Sequence, residues 1–281
     1  MSERPSAPLT LAYSPCPNDT YIFAALAKGW LANAPPVRVK LDDVEALNRA
    51  ALSGTYELTK VSYGAIPELM AGYRILRAGG ALGHGCGPLV LARPGGAGSL
   101  QDYRDATIAI PGRRTTAFLL LRLALGATPR TVEMRFDQIV DAVRAAEVDA
   151  GLVIHETRFT YEDAGLVEIA DLGAWWEETT GLPVPLGAIL ARNDLSGDQV
   201  CAAEAAIRGS LRFAREHEPQ VFDYVRREAT ELSLEVMRKH VALYVNEFSL
   251  DITDVGEAAV RELFGRARAA RLIEAQEPLF A

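Results

Sequence analysis

Three observations predict an α/β fold of two lobes around a cleft. Short apolar runs of strand character alternate with runs of helical periodicity, the order expected of largely parallel sheets. A glycine-rich break, Arg93-Pro94-Gly95-Gly96-Ala97-Gly98-Ser99, separates two such units, and the apolar run 185–192 leads back from the second. Residues 56–63 and 148–155 echo each other, each following a helical run, so two similar lobes would each send a strand end into one cleft. The expected division is a discontinuous larger lobe, 1–92 with 187–281, and a smaller one, 93–186.

Residues 9–13 read as a short apolar strand, followed by a Pro- and Asn-rich turn and a helix over 21–31. Strand, helix and strand signals follow at 37–41, 44–52 and 57–62. Runs 74–77 and 88–93 flank the glycine-rich stretch 79–87, and 88–93 reads as the strand leaving the first unit. The second unit reads as a strand over 107–111, helices near 116–125 and 138–146, and a buried strand that ends at His155. After Trp175-Trp176 the chain returns through 185–192, and the remainder is mostly helical, with apolar spacing at Ala203, Ile207, Leu211 and Ala214.

The chain of 281 residues is 49% hydrophobic and 23% charged, an ordinary globular composition. A net charge of −8 argues against a nucleic-acid partner, which needs a basic surface, but leaves room for a small anion in a locally basic cleft. The first residues lack the apolar stretch of a secretory signal, and no apolar run approaches membrane-spanning length, so a cytoplasmic protein without membrane association is expected. Cys16, Cys86 and Cys201 are scattered and odd in number, forming neither a disulfide framework nor a zinc pattern.

The chemistry is expected at strand ends, where ligands bind in open α/β sheets. His155 closes the run Val148–His155, and an imidazole suits proton transfer near neutrality; the bland alternative is a satisfied structural histidine. Glu156 either orients it or faces solvent. His84, His217 and His240 show no metal-ligand spacing with it, and His217 and His240, in charged helical sequence, read as surface residues.

Two helix-opening loops supply partners. In Ser14-Pro15-Cys16-Pro17-Asn18-Asp19-Thr20 the prolines fix the backbone and Asn18, Asp19 or Thr20 caps a helix whose free amides attract polar oxygens. Cys16 has no local base and reads as a small turn-filling residue. Pro111-Gly112-Arg113-Arg114-Thr115-Thr116-Ala117 repeats the logic in the other lobe, with the amides and the Thr115 and Thr116 hydroxyls suited to an anion. Lys60, interrupting the apolar run Leu58–Val61 ahead of Ser62, either snorkels to an edge or faces a cleft to bind a carboxylate. The glycine-rich stretch 79–87 lacks the Walker spacing, which excludes a phosphate loop. Trp175 and Trp176 read as core, with stacking on a planar substrate as the sharper alternative.

Taken together, these segments resemble the 1,4-dihydroxy-6-naphthoate synthase family of the futalosine route to menaquinone. The matching stretches are Ser14-Pro15-Cys16-Pro17-Asn18-Asp19-Thr20, Thr59-Lys60-Val61-Ser62-Tyr63, Gly79-Gly80-Ala81-Leu82-Gly83, Pro111-Gly112-Arg113, Thr115-Thr116-Ala117 and Ile154-His155-Glu156. Arg158-Phe159-Thr160-Tyr161, Asp171-Leu172-Gly173-Ala174-Trp175-Trp176 and Tyr244-Val245-Asn246 complete them, in order and nearly end to end. The resemblance implies a type II periplasmic-binding-protein-like fold with the active site between the lobes. It implies cofactor-free cleavage of cyclic dehypoxanthinyl futalosine, an anionic aromatic substrate, to 1,4-dihydroxy-6-naphthoate and dihydroxyacetone.

On the same resemblance, His155 is the proton acceptor and Lys60, Val61, Ser62, Thr116 and Ala117 bind substrate. Ser14, Asn18, Asp19 and Thr115 join them as candidate binding residues from the two loops. No metal is expected, and homodimerisation is compatible with the helical C-terminal region. Two alternatives stand beside this reading: chorismate dehydratase, of related fold and the same pathway, and a non-catalytic carboxylate-binding protein. The His155-Glu156 segment and the tryptophan pair favour the lyase, and the absent export signal disfavours the binding protein.

Overall fold

The computed structural model describes residues 8–96, 98–229, 232–274 and 280–281; the polar start of the chain and Ala97 of the glycine-rich break lie outside the described residues. β1 (Leu9–Tyr13) runs into a turn from which α1 (Pro17–Ala27) starts, at Pro17 rather than near Tyr21. Proline at a first helical position sacrifices no needed N–H and brings a helical φ, which is why the helix opens there. β2 (Val37–Leu41), α2 (Val44–Leu52), β3 (Leu58–Ser62), the single turn α3 (Ile66–Leu69), β4 (Tyr73–Ile75), β5 (Ala81–Gly83) and β6 (Leu89–Ala92) follow.

The second α/β unit comprises β7 (Thr107–Ile110), α4 (Thr116–Leu125), β8 (Arg130–Glu133), α5 (Ile139–Arg144), β9 (Ala150–Val153), β10 (Val167–Asp171) and α6 (Leu172–Thr180). β11 (Val184–Arg192) returns to the first sheet. The helices α7 (Gly197–Glu216), α8 (Glu218–Glu228), α9 (Leu234–Tyr244), α10 (Glu247–Leu250) and α11 (Thr253–Ala269) finish the chain. The strands β8 and β10 carry no sustained apolar run because they are partly exposed edges of their sheet, and β5 hides in glycine-rich sequence.

The first sheet has the order β2-β1-β3-β11-β4, with β5 also on β11; the second has the order β10-β6-β9-β7-β8. The two repeat one plan. β1, β2 and β3 are mutually parallel in the order β2-β1-β3, as β7, β8 and β9 are in the order β8-β7-β9, each linked through two helices. An antiparallel strand then lies beside the last member, β11 beside β3 and β6 beside β9.

Two expectations are corrected. The sheets are mixed rather than largely parallel, because the strands that cross between the units run against their neighbours. The run 88–93 does not close the first unit: β6 pairs with β9 and β10, so it belongs to the second sheet, and the passage between sheets falls before Leu89.

One apolar cluster packs α1, α7, α8 and α9 on the first sheet through Ile22, Phe23, Ile207, Leu211 and Val225. A second runs continuously from Val61 and Tyr63 of the first unit to Phe118, Leu121 and Leu152 of the second, joined by Leu263 and Phe264 of α11. The units therefore share core as well as chain. Gly64 marks a close approach: a Cβ there would stand 2.7 Å from the Thr115 carbonyl oxygen, so only glycine lets the chain just after β3 abut the start of α4.

Candidate active site

Four chain segments meet where the repeated plan brings them: the β1–α1 loop, the end of β3, the β7–α4 loop and the end of β9. They line one cavity. Its lining includes Ser14, Asn18, Asp19, Lys60, Val61, Ser62, Thr115, Thr116, Ala117 and His155, so every residue expected at the site from sequence borders one space. Cys86, Gly87, Leu186, His240 and Tyr244 complete much of the wall.

His155 is not the last residue of a strand. β9 ends at Val153, Ile154 is extended, and His155 opens a 3₁₀ helix over His155–Phe159 with a positive φ of 61°. A non-glycine residue in that left-handed region costs energy, and such backbone is held in place only by its surroundings. Here Phe136 meets the imidazole edge-on with ring centroids 5.0 Å apart, and His240 stacks on it at 6.3 Å and 18° between planes. The Nδ1 atom lies 3.6 Å from the Sγ of Cys16.

Cys16 is thus no mere turn filler: it joins a loop of the first sheet to a residue of the second. Burial, with Glu156 nearby, pushes its thiol well above the usual range, so the sulfur stays protonated rather than acting as a thiolate nucleophile.

Lys60 carries no free charge for a ligand. Its Nζ donates to Asp19 Oδ1 at 2.8 Å and to the Gly79 carbonyl at 3.1 Å, and both ion-pair side chains are buried. Asp19 collects further donors from Ser14 Oγ at 2.8 Å, the Ser14 amide at 3.3 Å and Asn18 Nδ2 at 3.0 Å. Asn18 Oδ1 is 3.0 Å from His240 Nε2. A chain Lys60–Asp19–Asn18–His240 therefore runs along the cavity wall. His240, expected at the surface, is 1% exposed. The charged residues around it in sequence occupy the outer face of α9, whereas Met237, His240, Val241 and Tyr244 form its inner stripe. That spacing was the signal available for finding it. Burial holds its imidazole well below the ordinary histidine range, hence neutral.

The hydroxyls differ in what they leave for a ligand. Thr116 Oγ1 donates to the Leu186 carbonyl at 2.7 Å and accepts from the Gly64 amide at 3.1 Å. Thr115 Oγ1 donates to the Gly112 carbonyl and accepts from the Phe118 amide as the cap of α4. The expectation that these hydroxyls hold an anion is corrected, because both give their protons to backbone carbonyls, Thr115 to Gly112 and Thr116 to Leu186. What remains there are the first amides of α4, at Thr116 and Ala117, which have no carbonyl a turn earlier in the helix. Ser62 Oγ accepts from Asn48 Nδ2 at 3.2 Å, and its own proton is available to donate.

Other candidates fall elsewhere. Trp176 is fully buried with Nε1 donating to the Pro183 carbonyl at 3.0 Å, and Trp175 packs against the same core, so neither stacks in the cavity. Arg113 and Arg114 pair with Glu133 and Glu68. Glu156 borders a neighbouring hollow together with Cys16 and Phe136. Among the described residues, no group of three or more His, Cys, Asp or Glu side chains is arranged to hold a metal ion, and no helix is long and apolar enough to cross a membrane.

Comparison with known proteins matches residues 9–269 to a family described as menaquinone biosynthesis. A 1,4-dihydroxy-6-naphthoate synthase of Thermus thermophilus is 52% identical over 274 residues, covering 97% of this chain and 98% of that protein. A crystal structure of a protein from Archaeoglobus fulgidus superposes with a TM-score of 0.90 at 37% identity, over 96% of this chain and 100% of that one. An alkanesulfonate-binding protein of Xanthomonas axonopodis pv. citri superposes with a TM-score of 0.71 at 14% identity, over 97% of this chain and 96% of that one. At that identity the likeness concerns architecture, and it makes the fold periplasmic-binding-protein-like.

Proposed function

The chain belongs to the menaquinone-biosynthesis family, and from that premise we propose that it acts as a 1,4-dihydroxy-6-naphthoate synthase, a carbon–carbon lyase with His155 as general base. The substrate is cyclic dehypoxanthinyl futalosine and the products are 1,4-dihydroxy-6-naphthoate and dihydroxyacetone. The observation that carries the reading is the convergence of His155, Ser62 and the start of α4 on one cavity, a base facing donors for developing negative charge.

A retro-aldol-type cleavage needs a base for a hydroxyl or an activated C–H. The electron pair of the breaking C–C bond passes into the fragment that becomes aromatic, and aromatisation makes the step favourable. Neutral imidazole takes the proton through Nε2, the nitrogen not occupied by Cys16. The amides of Thr116 and Ala117 and the Ser62 hydroxyl meet the negative oxygen of substrate or transition state. Asp19 already balances the charge of Lys60, so Lys60 is not the partner of the substrate carboxylate.

The experiment is product analysis by mass spectrometry after separate incubation with cyclic dehypoxanthinyl futalosine and with chorismate. Release of naphthoate and dihydroxyacetone from the first alone is expected, and His155→Asn should bind substrate yet lose most turnover. Loss of an enolpyruvyl group from chorismate refutes the reading in favour of a dehydratase. Unchanged recovery of both compounds refutes it in favour of a binding protein. A near-normal rate in His155→Asn removes the imidazole from the chemistry.

A further inference from the structure

The contact between Cys16 and His155 joins parts of the molecule that are separate in both chain and sheet. Cys16 precedes α1 in the first unit, His155 follows β9 in the second, and the two are 139 positions apart. Both are held stiffly. Pro17 confines Cys16 to extended backbone, observed at φ −61° and ψ 149°, while Pro15 fixes the approach. The Cys16 carbonyl is further tied by the Thr20 amide at 3.0 Å and the Thr20 hydroxyl at 2.9 Å. His155 sits in left-handed backbone, packed edge-on by Phe136 and stacked by His240. Stiff backbone on both sides fixes the meeting of sulfur and ring, in which either the ring N–H or the S–H can donate.

We propose that Cys16 is the positioning residue of the base: its sulfur accepts the Nδ1 proton of His155 across the cleft and thereby leaves Nε2 unprotonated towards the substrate. The assignment rests on the reading of His155 as the base and explains how that base is prepared. A neutral imidazole carries one ring proton, and the partner of one nitrogen decides which nitrogen stays free. The thiol takes no covalent part. Burial and the neighbouring Glu156 keep it protonated, which suits a passive acceptor and not a nucleophile. Cys16 lines the neighbouring hollow with Phe136 and Glu156 and is not among the residues that line the cavity itself.

The test joins tautomer and turnover in the full-length protein. Histidine-labelled ¹⁵N spectra of the free wild-type chain should show neutral His155 protonated on Nδ1. In Cys16→Ala the proton should move largely to Nε2. Turnover of cyclic dehypoxanthinyl futalosine should then fall in kcat by about tenfold to a hundredfold, the loss a misdirected catalytic group brings, with KM changed by roughly twofold or less. Cys16→Ser, which restores a hydroxyl acceptor, should recover the Nδ1 tautomer and part of kcat, which a purely packing role does not predict.

An Nε2-protonated ring in wild type overturns the proposal. So does a tautomer indifferent to Cys16→Ala, or a Cys16→Ser variant no better than Cys16→Ala. A wild-type chain that shows the Nδ1 tautomer and its dependence on Cys16 but leaves the substrate intact sinks the lyase reading and not the contact. A chain that cleaves the substrate with the tautomer reversed does the opposite.

Discussion

Asn18 and His240 stand 222 positions apart and meet through a 3.0 Å hydrogen bond on the cavity wall. Its direction follows from the next link. Asn18 Nδ2 donates to the carboxylate of Asp19, which leaves only its carbonyl oxygen to face the ring, so His240 Nε2 is the donor. The anion of Asp19 is in turn secured by Lys60. One buried ion pair thus dictates the orientation of an amide and, through it, the tautomer of a second imidazole stacked on the proposed base. His240 Nδ1 is left without a partner, and burial keeps the ring uncharged.

That uncharged state makes stability depend on pH. His240 has a folded pKa below its unfolded value of about 6.5, so above that pH the ring is neutral in both states and its contribution is intact. As pH falls below about 6.5 the unfolded chain takes up a proton that the folded ring refuses, and stability is lost until the folded pKa is reached. Melting temperature measured from about pH 7.5 down to about pH 5 should fall less steeply in His240→Gln than in wild type. Equal slopes would mean that the ring does not titrate in this way.

Removing Lys60 should be felt first in folding. Lys60→Met leaves the carboxylate of Asp19 buried without its counter-ion, which costs about 3–5 kcal/mol. The double variant Lys60→Met/Asp19→Asn should regain much of that loss, because no buried charge remains. Urea unfolding of the two single variants and the double variant checks the cycle. Additive losses would show that the two groups act independently, and a Lys60→Met chain of normal stability but raised KM would restore the carboxylate-binding role.

Gly87 and Gly173 make the tightest backbone contact beside the cavity. A Cβ on Gly87 would lie 2.2 Å from the Gly173 Cα and amide nitrogen, atoms that no side-chain rotation can move aside. Gly87→Ala therefore displaces the start of α6 or the chain ahead of β6, costing about 1–3 kcal/mol as an overpacked site. Because Gly87 also lines the cavity, turnover should fall together with melting temperature. A variant as stable and active as wild type would contradict the contact.

The sequence determined by itself those parts of the protein that depend on neighbouring residues. Apolar runs became β1, β3, β7 and β9, and the proline-rich and glycine–threonine turns hold the starts of α1 and α4, α1 opening at Pro17, earlier than its apolar spacing predicts. Because parallel strands place their ends at one edge, the expected residues from four segments came to line one cavity. Tertiary structure decided what those side chains do. Lys60 was read as facing either solvent or a ligand, and it faces Asp19 instead, 41 positions away in the chain. Cys16 lacked a base nearby in sequence and meets His155 across the cleft; His240 lay among charged neighbours and turned its other helical face inward. The physical reason is range. Helix starts, turns and strand runs are governed by sterics and backbone hydrogen bonds over a few residues, whereas a tautomer, an ion pair or a buried charge is settled by groups that only the folded chain brings within about 3–4 Å.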